Sequence, residues 1–294
     1  MTDNKQTRFS ETPLVYAQFI IVCYLFAKED DMPTLLAVDA LAITPTRNLN
    51  LLYIILDSIF ILVFLCLLIW KKRYSTALFA LFGGVIYTIV DYGGFYLLSH
   101  TRTVYIDGQL AGAGGTFWVL LWMSMSYGIT NFAFIWVCVN RDSLLKYWLF
   151  LIIMWWLICP SICELGGEAT ITTSRTTGAY HGWMGVVLVV SYFILIVLLM
   201  KKEGQKAFVN VLVLCLIGFS VQFCWEFSLL VNGIRPLNDA SLRTLIVNSC
   251  LETNLGMPAI FAINYFWKKR FNEDMSRARP ATVQPDDIEN LQKV

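Results

Sequence analysis

The chain has 294 residues, 57% of them hydrophobic and only 15% charged, with a net charge of +1 and a mean hydropathy of +0.61. A soluble domain carries about 25% charge, so the composition excludes an ordinary soluble fold, and the near-neutral balance excludes nucleic-acid binding through a basic surface. Apolar runs of roughly 18–25 residues recur along the chain, each long enough to cross about 30 Å of hydrocarbon, and they predict an all-α polytopic protein embedded in a lipid bilayer.

Residues 1–50 open with "PLVYAQFIIVCYLFA" (Pro13–Ala27), a run short for a span and more typical of an interfacial or re-entrant helix. The acidic "KEDDMP" (Lys28–Pro33) that follows reads as a solvated charge run. Seven firm spans are then expected near 51–70, 76–98, 117–139, 147–163, 183–200, 207–231 and 244–266, or eight if residues 13–27 also cross. Between the second and third spans, "SHTRTVYIDGQLAGAGG" predicts a small hairpin turning at Asp107-Gly108. Residues 268–294 read as a disordered polar tail.

Alternate loops concentrate basic residues. One set holds Lys71, Lys72, Arg73, Arg141, Lys146, Lys201, Lys202 and Lys206, with Lys268, Lys269 and Arg270 after the last span. The other set holds Arg102, Arg175, Arg235 and Arg243. The positive-inside rule then places the first set and the C-terminus in the cytoplasm. With no organelle signal in the chain, a bacterial plasma membrane is expected.

The spans repeat. "YIILDSIFILVFLCLLIWKKRYSTALFALFGG" is similar to "GVVLVVSYFILIVLLMKKEGQKAFVNVLVLCLIG", each a span, a KK turn and a second span. Continuing the match sets "IVDYGGFYLL" beside "FCWEFSLL", which pairs Asp91 with Glu226, and Thr130-Asn131 beside Thr253-Asn254. Two parallel three-helix units, 51–139 and 183–267, are therefore expected, joined by a connecting helix and outer loop at 140–182.

Four acids fall inside the spans, where a carboxylate normally faces a cavity or a polar partner. At 1.5 Å rise per residue, Asp91 lies about 10 Å, Glu226 about 8 Å, Asp57 about 9 Å and Glu252 about 12 Å below the outer ends of their spans. A shared depth points to a pocket. Gln222, Asn131 and Asn254, with the aromatic residues Tyr92, Phe95, Trp122, Tyr127 and Trp225, are the expected lining. Burial would raise the pKa of a carboxyl group placed there. Such an acid suits either protonation of an apolar substrate, with aromatic faces stabilising cationic intermediates, or proton-coupled transport.

Other features carry less chemistry. The eight cysteines show no C-x-x-C pair, and Cys159 and Cys163, one helical turn apart, read as helix packing. Two histidines, His100 and His181, are too few for a His-rich metal site. Arg235 and Arg243, flanking the last outer loop, read as interfacial anchors, with pairing to Glu164, Glu168 or an anionic substrate group as the alternative. No cofactor is implied, and nothing names a protein partner.

The unit "VQFCWEFSLLVNGIRP", followed by a polar turn, "LRTLIVNSCLETN" and a basic end, resembles the integral-membrane terpene cyclases of fungal meroterpenoid and indole-diterpene pathways. The heterodimeric lycopene cyclases are similar in outline. The resemblance covers chiefly residues 183–267 and implies a three-plus-one-plus-three helix fold with an essential acid in each half. It implies catalytic roles for Glu226, the acid of "WE", and for Asp91. In the family the "WE" belongs to the first unit, whereas here it lies in the second. No D-D-x-x-D run is present, so an enzyme of this kind would begin by protonating an alkene or epoxide. The functional expectation is cyclisation of a lipophilic isoprenoid by proton donation from a buried carboxylic acid. A proton-coupled small-molecule transporter is the alternative, and a membrane sensor or assembly protein without chemistry is the third.

Overall fold

A computed structural model describes residues 46–175, 181–204, 206–235, 237 and 241–270. The apolar run at 13–27, the acidic run at 28–33 and the tail from 271 onward lie outside the described residues. Helix α1 spans Leu51–Trp70, α2 Tyr74–Thr88, α3 Ala113–Val139, α4 Leu145–Cys163, α5 His181–Glu203, α6 Lys206–Val231 and α7 Ser241–Arg270. Seven of these segments, α2 taken with its continuation to Leu98, are long and apolar enough to cross a membrane. Each expected span is present, the ends displaced by a few residues. The last helix runs on to Arg270, past the expected boundary at 267.

Four short strands stand beside the helices: β1 (Thr46–Leu49), β2 (Arg102–Ile106), β3 (Gln109–Leu110) and β4 (Ile171–Arg175). They form one antiparallel sheet in the order β1-β4-β2-β3. The β2–β3 hairpin turns where Asp107-Gly108 predicted it. Both residues take positive φ, 50° and 76°, as the tight hairpin turn demands and Asp-Gly permits. β1 and β4 were not expected: the first falls in what reads as an N-terminal linker, the second in the outer loop after the connecting helix. Because β1 precedes α1, β2 and β3 join α2 to α3, and β4 joins α4 to α5, the sheet sits at one end of the bundle. The basic turns at 71–73, 141–146 and 201–206 lie at the other.

Alternation along the strands gives the sheet a bundle-facing side. Arg47, Leu49, Arg102, Val104, Ile171 and Thr173 are buried, while Tyr105 is exposed. Asn50 ties the sheet end to the helices. Its Oδ1 caps α1 at the Tyr53 N–H (2.9 Å), and its Nδ2 donates to the carbonyl of Cys163 (2.6 Å) at the end of α4.

The far end has its own clasp. Arg73 Nε reaches Asp142 Oδ2 at 2.6 Å and its Nη2 reaches Oδ1 at 3.1 Å, a bidentate pair joining the α1–α2 and α3–α4 turns. Arg73, counted above among the loop basic residues, is buried and paired. Asn264 Nδ2 donates to Asn140 Oδ1 (3.1 Å) and brings α7 to the same point.

Between these ends, α2 crosses α3 at contact distance. A Cβ on Gly128 would lie 2.7 Å from the Gly84 Cα and 2.9 Å from its N, so the two backbones approach as small-residue membrane helix pairs do. Gly128→Ala is expected to destabilise the protein by about 1–3 kcal/mol through overpacking against an unyielding backbone, read as a lowered unfolding midpoint in detergent. Gly94→Ala, where an added Cβ meets nothing within 4 Å, is expected to stay within about 1 kcal/mol of the parent.

Candidate functional site

After Thr88 the second helix widens into a π-helix over Ile89–Leu98, the segment "IVDYGGFYLL". Wider turns of this kind cluster at functional sites, and this one carries Asp91. The Asp91 side chain is 1% exposed and points into a cluster of arginines. Its Oδ2 accepts from Ser124 Oγ (3.0 Å), from the Tyr127 hydroxyl and from Arg102 Nη2 (3.5 Å). Its Oδ1 lies 3.7 Å from Arg175 Nη1.

Glu226, on α6, is equally buried. Arg235 Nη2, from the loop after α6, reaches its Oε2 at 2.6 Å, and Arg47 Nη2 of β1 lies 3.5 Å from its Oε1. Glu252, on α7, is held by Arg175 Nη2 at 2.8 Å and by Gln222 Nε2 at 3.0 Å. The same Gln222 nitrogen lies 3.4 Å from Glu226, and its carbonyl accepts from the Thr253 hydroxyl (2.8 Å). A continuous chain thus runs Glu226–Gln222–Glu252–Arg175–Asp91 across the bundle. Every arginine in it comes from the sheet or a loop, and every acid from a helix.

These partners correct the expectation of a carboxylic acid free to donate its proton. Asp91 and Glu226 each have two guanidinium groups at 3.7 Å or closer. They serve as ion-pair acceptors. On the cap side, burial pulls the Arg102 guanidinium down to about 10 against the raising effect of Asp91, which leaves it charged at neutral pH. Burial also lowers Arg235, with Glu226 opposing. For Arg175 the attraction of Glu252 and Asp91 outweighs burial and raises it.

Beneath the cluster lies a cavity of about 240 Å³, slightly under the range of about 300–1,000 Å³ usual for small-molecule sites. Its walls come from α2 and its π continuation, α3, α5, α6 and α7, and its polar end from Arg47, Arg175, Gln222 and Glu252. Six of the residues expected in the pocket line it: Phe95, Tyr127, Asn131, Gln222, Trp225 and Glu252. The others are placed elsewhere. Asp91 and Glu226 sit behind the arginines. Tyr92 stacks on Tyr96 (5.3 Å between centroids). Trp122 packs edge-on against Tyr53 (5.7 Å). Asn254 accepts from the Tyr192 hydroxyl (2.8 Å), and Asp57 accepts from Trp155 Nε1 (3.1 Å).

Arg47, Arg102 and Arg175 were not expected at the site, and Arg235 pairs with Glu226 where interfacial anchoring was expected. One signal was present. The sparse basic residues of the loops expected to lie outside are all arginine, whereas the opposite loops are mostly lysine, and arginine is the cation suited to buried, forked pairing. Among the described residues, no group of three His, Cys, Asp or Glu could hold a metal ion. Compared with known protein families, curated proteins and solved structures, the chain matches none.

Arg235→Met strips Glu226 of its 2.6 Å partner and leaves a buried charge with the 3.5 Å Arg47 contact. We expect a loss of about 3–5 kcal/mol, and recovery of most of it in Arg235→Met/Glu226→Gln. Unfolding midpoints of the two single variants, the double variant and the parent give the coupling. A double variant whose loss equals the sum of the two single losses would show that the pair is not coupled.

Proposed function

We propose that the chain is an integral-membrane enzyme that draws a lipophilic small molecule from the bilayer into the cavity between two three-helix units, and acts on an isoprenoid there by acid chemistry. The observation that carries this reading is Glu252: among the described residues it is the carboxylate that lines the cavity, with an apolar and aromatic wall facing it. Glu252 is itself paired, with Arg175 at 2.8 Å, but it has one guanidinium where Asp91 and Glu226 each have two, and as the acid that faces the cavity it takes the role expected of them. Gln222 and Arg175 fix its position, and the two buried acids hold the arginines in place. Tyr127 and Trp225 belong to the aromatic wall, their rings 5.8 Å and 5.9 Å from the Arg47 guanidinium carbon. The resemblance of residues 183–267 to membrane terpene cyclases supports the same substrate class.

Matched packing supports the two-unit reading. α2 and α3 meet at Gly84 and Gly128, and α6 and α7 meet where Gly218 faces Asn254 and Met257. α4 stands between the units, in contact with α1, α3 and α6. The count of basic residues favours a plasma membrane with the C-terminus cytoplasmic and the sheet outside.

A specific observation also favours transport. Arg175 bridges Asp91 of one unit and Glu252 of the other. A bridge shared between units can change partners as they rock about a central site.

The deciding experiment expresses the parent and Glu252→Gln with linear isoprenoids and their epoxides, with mass spectrometry of the lipid extract. The expected result is a cyclised product formed by the parent and reduced at least 100-fold in Glu252→Gln, on the scale of losing a general acid. A product formed equally by both would overturn the assignment of Glu252. No product from either, with proton-coupled substrate uptake into proteoliposomes that Glu252→Gln abolishes, would replace the enzyme by the transporter.

A further inference from the structure

The polar end of the cavity is rich in donors. Among the described residues, four guanidiniums, Arg47, Arg102, Arg175 and Arg235, meet three carboxylates, Asp91, Glu226 and Glu252. A buried cluster with one charge uncompensated is costly unless an opposite charge joins it. Each guanidinium also brings five N–H groups and accepts nothing.

Arg47 and Arg102 each have one ion pair, at 3.5 Å, and of the two Arg47 lines the cavity. Its Nη2 is 3.5 Å from Glu226, its Nη1 is 3.7 Å from the Met123 sulfur, and its guanidinium carbon lies 5.8 Å and 5.9 Å from the Tyr127 and Trp225 rings. Trp225, which also lines the cavity, is 6% exposed, and its indole N–H has no acceptor. Arg47 and Arg175 lie on neighbouring strands, with Arg47 opposite Thr173 in the register, so both project from the bundle-facing side into the same end of the cavity. The charged acceptor there is already used: both oxygens of Glu252 are taken by Arg175 and Gln222, which leaves the neutral Asn131 Oδ1 as an acceptor without a partner in the lining. A cationic head would have to break the Arg175–Glu252 pair, whereas an anionic one would complete the cluster.

We propose that the molecule bound in this cavity is a lipophilic anion. Its aliphatic or isoprenoid chain lies among the α2, α3, α5 and α7 walls, and its carboxylate or phosphate head is held by Arg47, Arg175 and the Trp225 N–H. This rests on the reading of the cavity as a small-molecule site. It adds the chemical class of the ligand, and it holds equally for an enzyme and a transporter.

The test is equilibrium binding to the purified full chain in phosphatidylcholine nanodiscs, with four radiolabelled ligands of one chain length: dodecanoate, dodecyl phosphate, dodecanol and dodecylamine. A cavity-filled variant, Val187→Trp, corrects for partition into lipid. The two anions are expected to bind at least tenfold more tightly than the alcohol and the amine, and whichever anion binds more tightly identifies the head as carboxylate or phosphate. Arg47→Gln is expected to reduce anion binding about tenfold or more, as loss of a charged hydrogen bond does, while leaving dodecanol unchanged. Because Arg47→Gln removes a cluster member, Trp225→Phe provides a milder second variant, expected to weaken anion binding several-fold without lowering the unfolding midpoint.

Alcohol and anions bound equally, or the amine bound most tightly, would overturn the anionic head and leave the cavity as a ligand site. Binding of all four ligands unaffected by Val187→Trp would overturn the cavity reading itself, and the head assignment with it.

Discussion

A charge withdrawn from water at the edge of a bilayer must meet its opposite, and in this chain that requirement sets the relation between sheet and bundle. Asp91, Glu226 and Glu252 stand on three different helices. Arg47, Arg102 and Arg175 stand on three different strands, and Arg235 follows in a loop. All the ion pairs of the cluster therefore run between cap and helices. Register does the rest. In the observed pairing Arg102 lies opposite Arg175, and Arg47 opposite Thr173, so the three guanidiniums share one face. A slip of one residue along any strand would turn its side chains over and leave a carboxylate at membrane depth without its partner.

Such a cluster is a poor source of net stability. Withdrawing seven charged groups from water costs several kcal/mol each, and their mutual attraction returns little more than that. The aromatic and aliphatic packing of α3, whose central turns are buried almost continuously from Ser126 to Val137, is the better candidate for what holds the bundle together. The ion pairs contribute uniqueness. Of the ways four short strands could sit on seven helices, few bring every charge to a partner. Arginine suits this task better than lysine because its fork reaches two acceptors at once, as Arg175 does with Glu252 and Asp91.

The helices were legible because a membrane span is written in a contiguous run of chain. Length and apolarity fix each one within a few residues, and the Asp107-Gly108 turn is equally local. β1 and β4 were not legible, since "TRNL" and "ITTSR" are too short to show a period and pair with strands far away in the chain. Asp91, Glu226 and Glu252 stood out as acids inside spans, and their convergence at one end followed from depth. Their chemical state did not. It depends on arginines in other segments, 9 residues away for Glu226–Arg235 and 11 for Asp91–Arg102 but 77, 84 and 179 for Glu252–Arg175, Asp91–Arg175 and Glu226–Arg47, whose loop positions reveal sign but not partner. The sign was read as topology, and the same residues turned out to be the counter-ions.

The cavity follows from the cluster. Three acids on three helices, each drawn toward the cap, hold the sheet-end turns of α2, α6 and α7 at the separation that the arginines span. The widened π turn at Ile89–Leu98 carries Asp91 toward Arg102. Side chains below that level face a gap wider than direct helix contact, while Gly128 on Gly84 and Gly218 on Asn254 keep α2–α3 and α6–α7 tight. A hollow between two tightly packed pairs is the geometric result. Its polar end is the lower face of the ion-pair network, and Glu252 belongs to both. The carboxylate at the cavity's polar end is therefore joined to Asp91 through one guanidinium and to Glu226 through one amide.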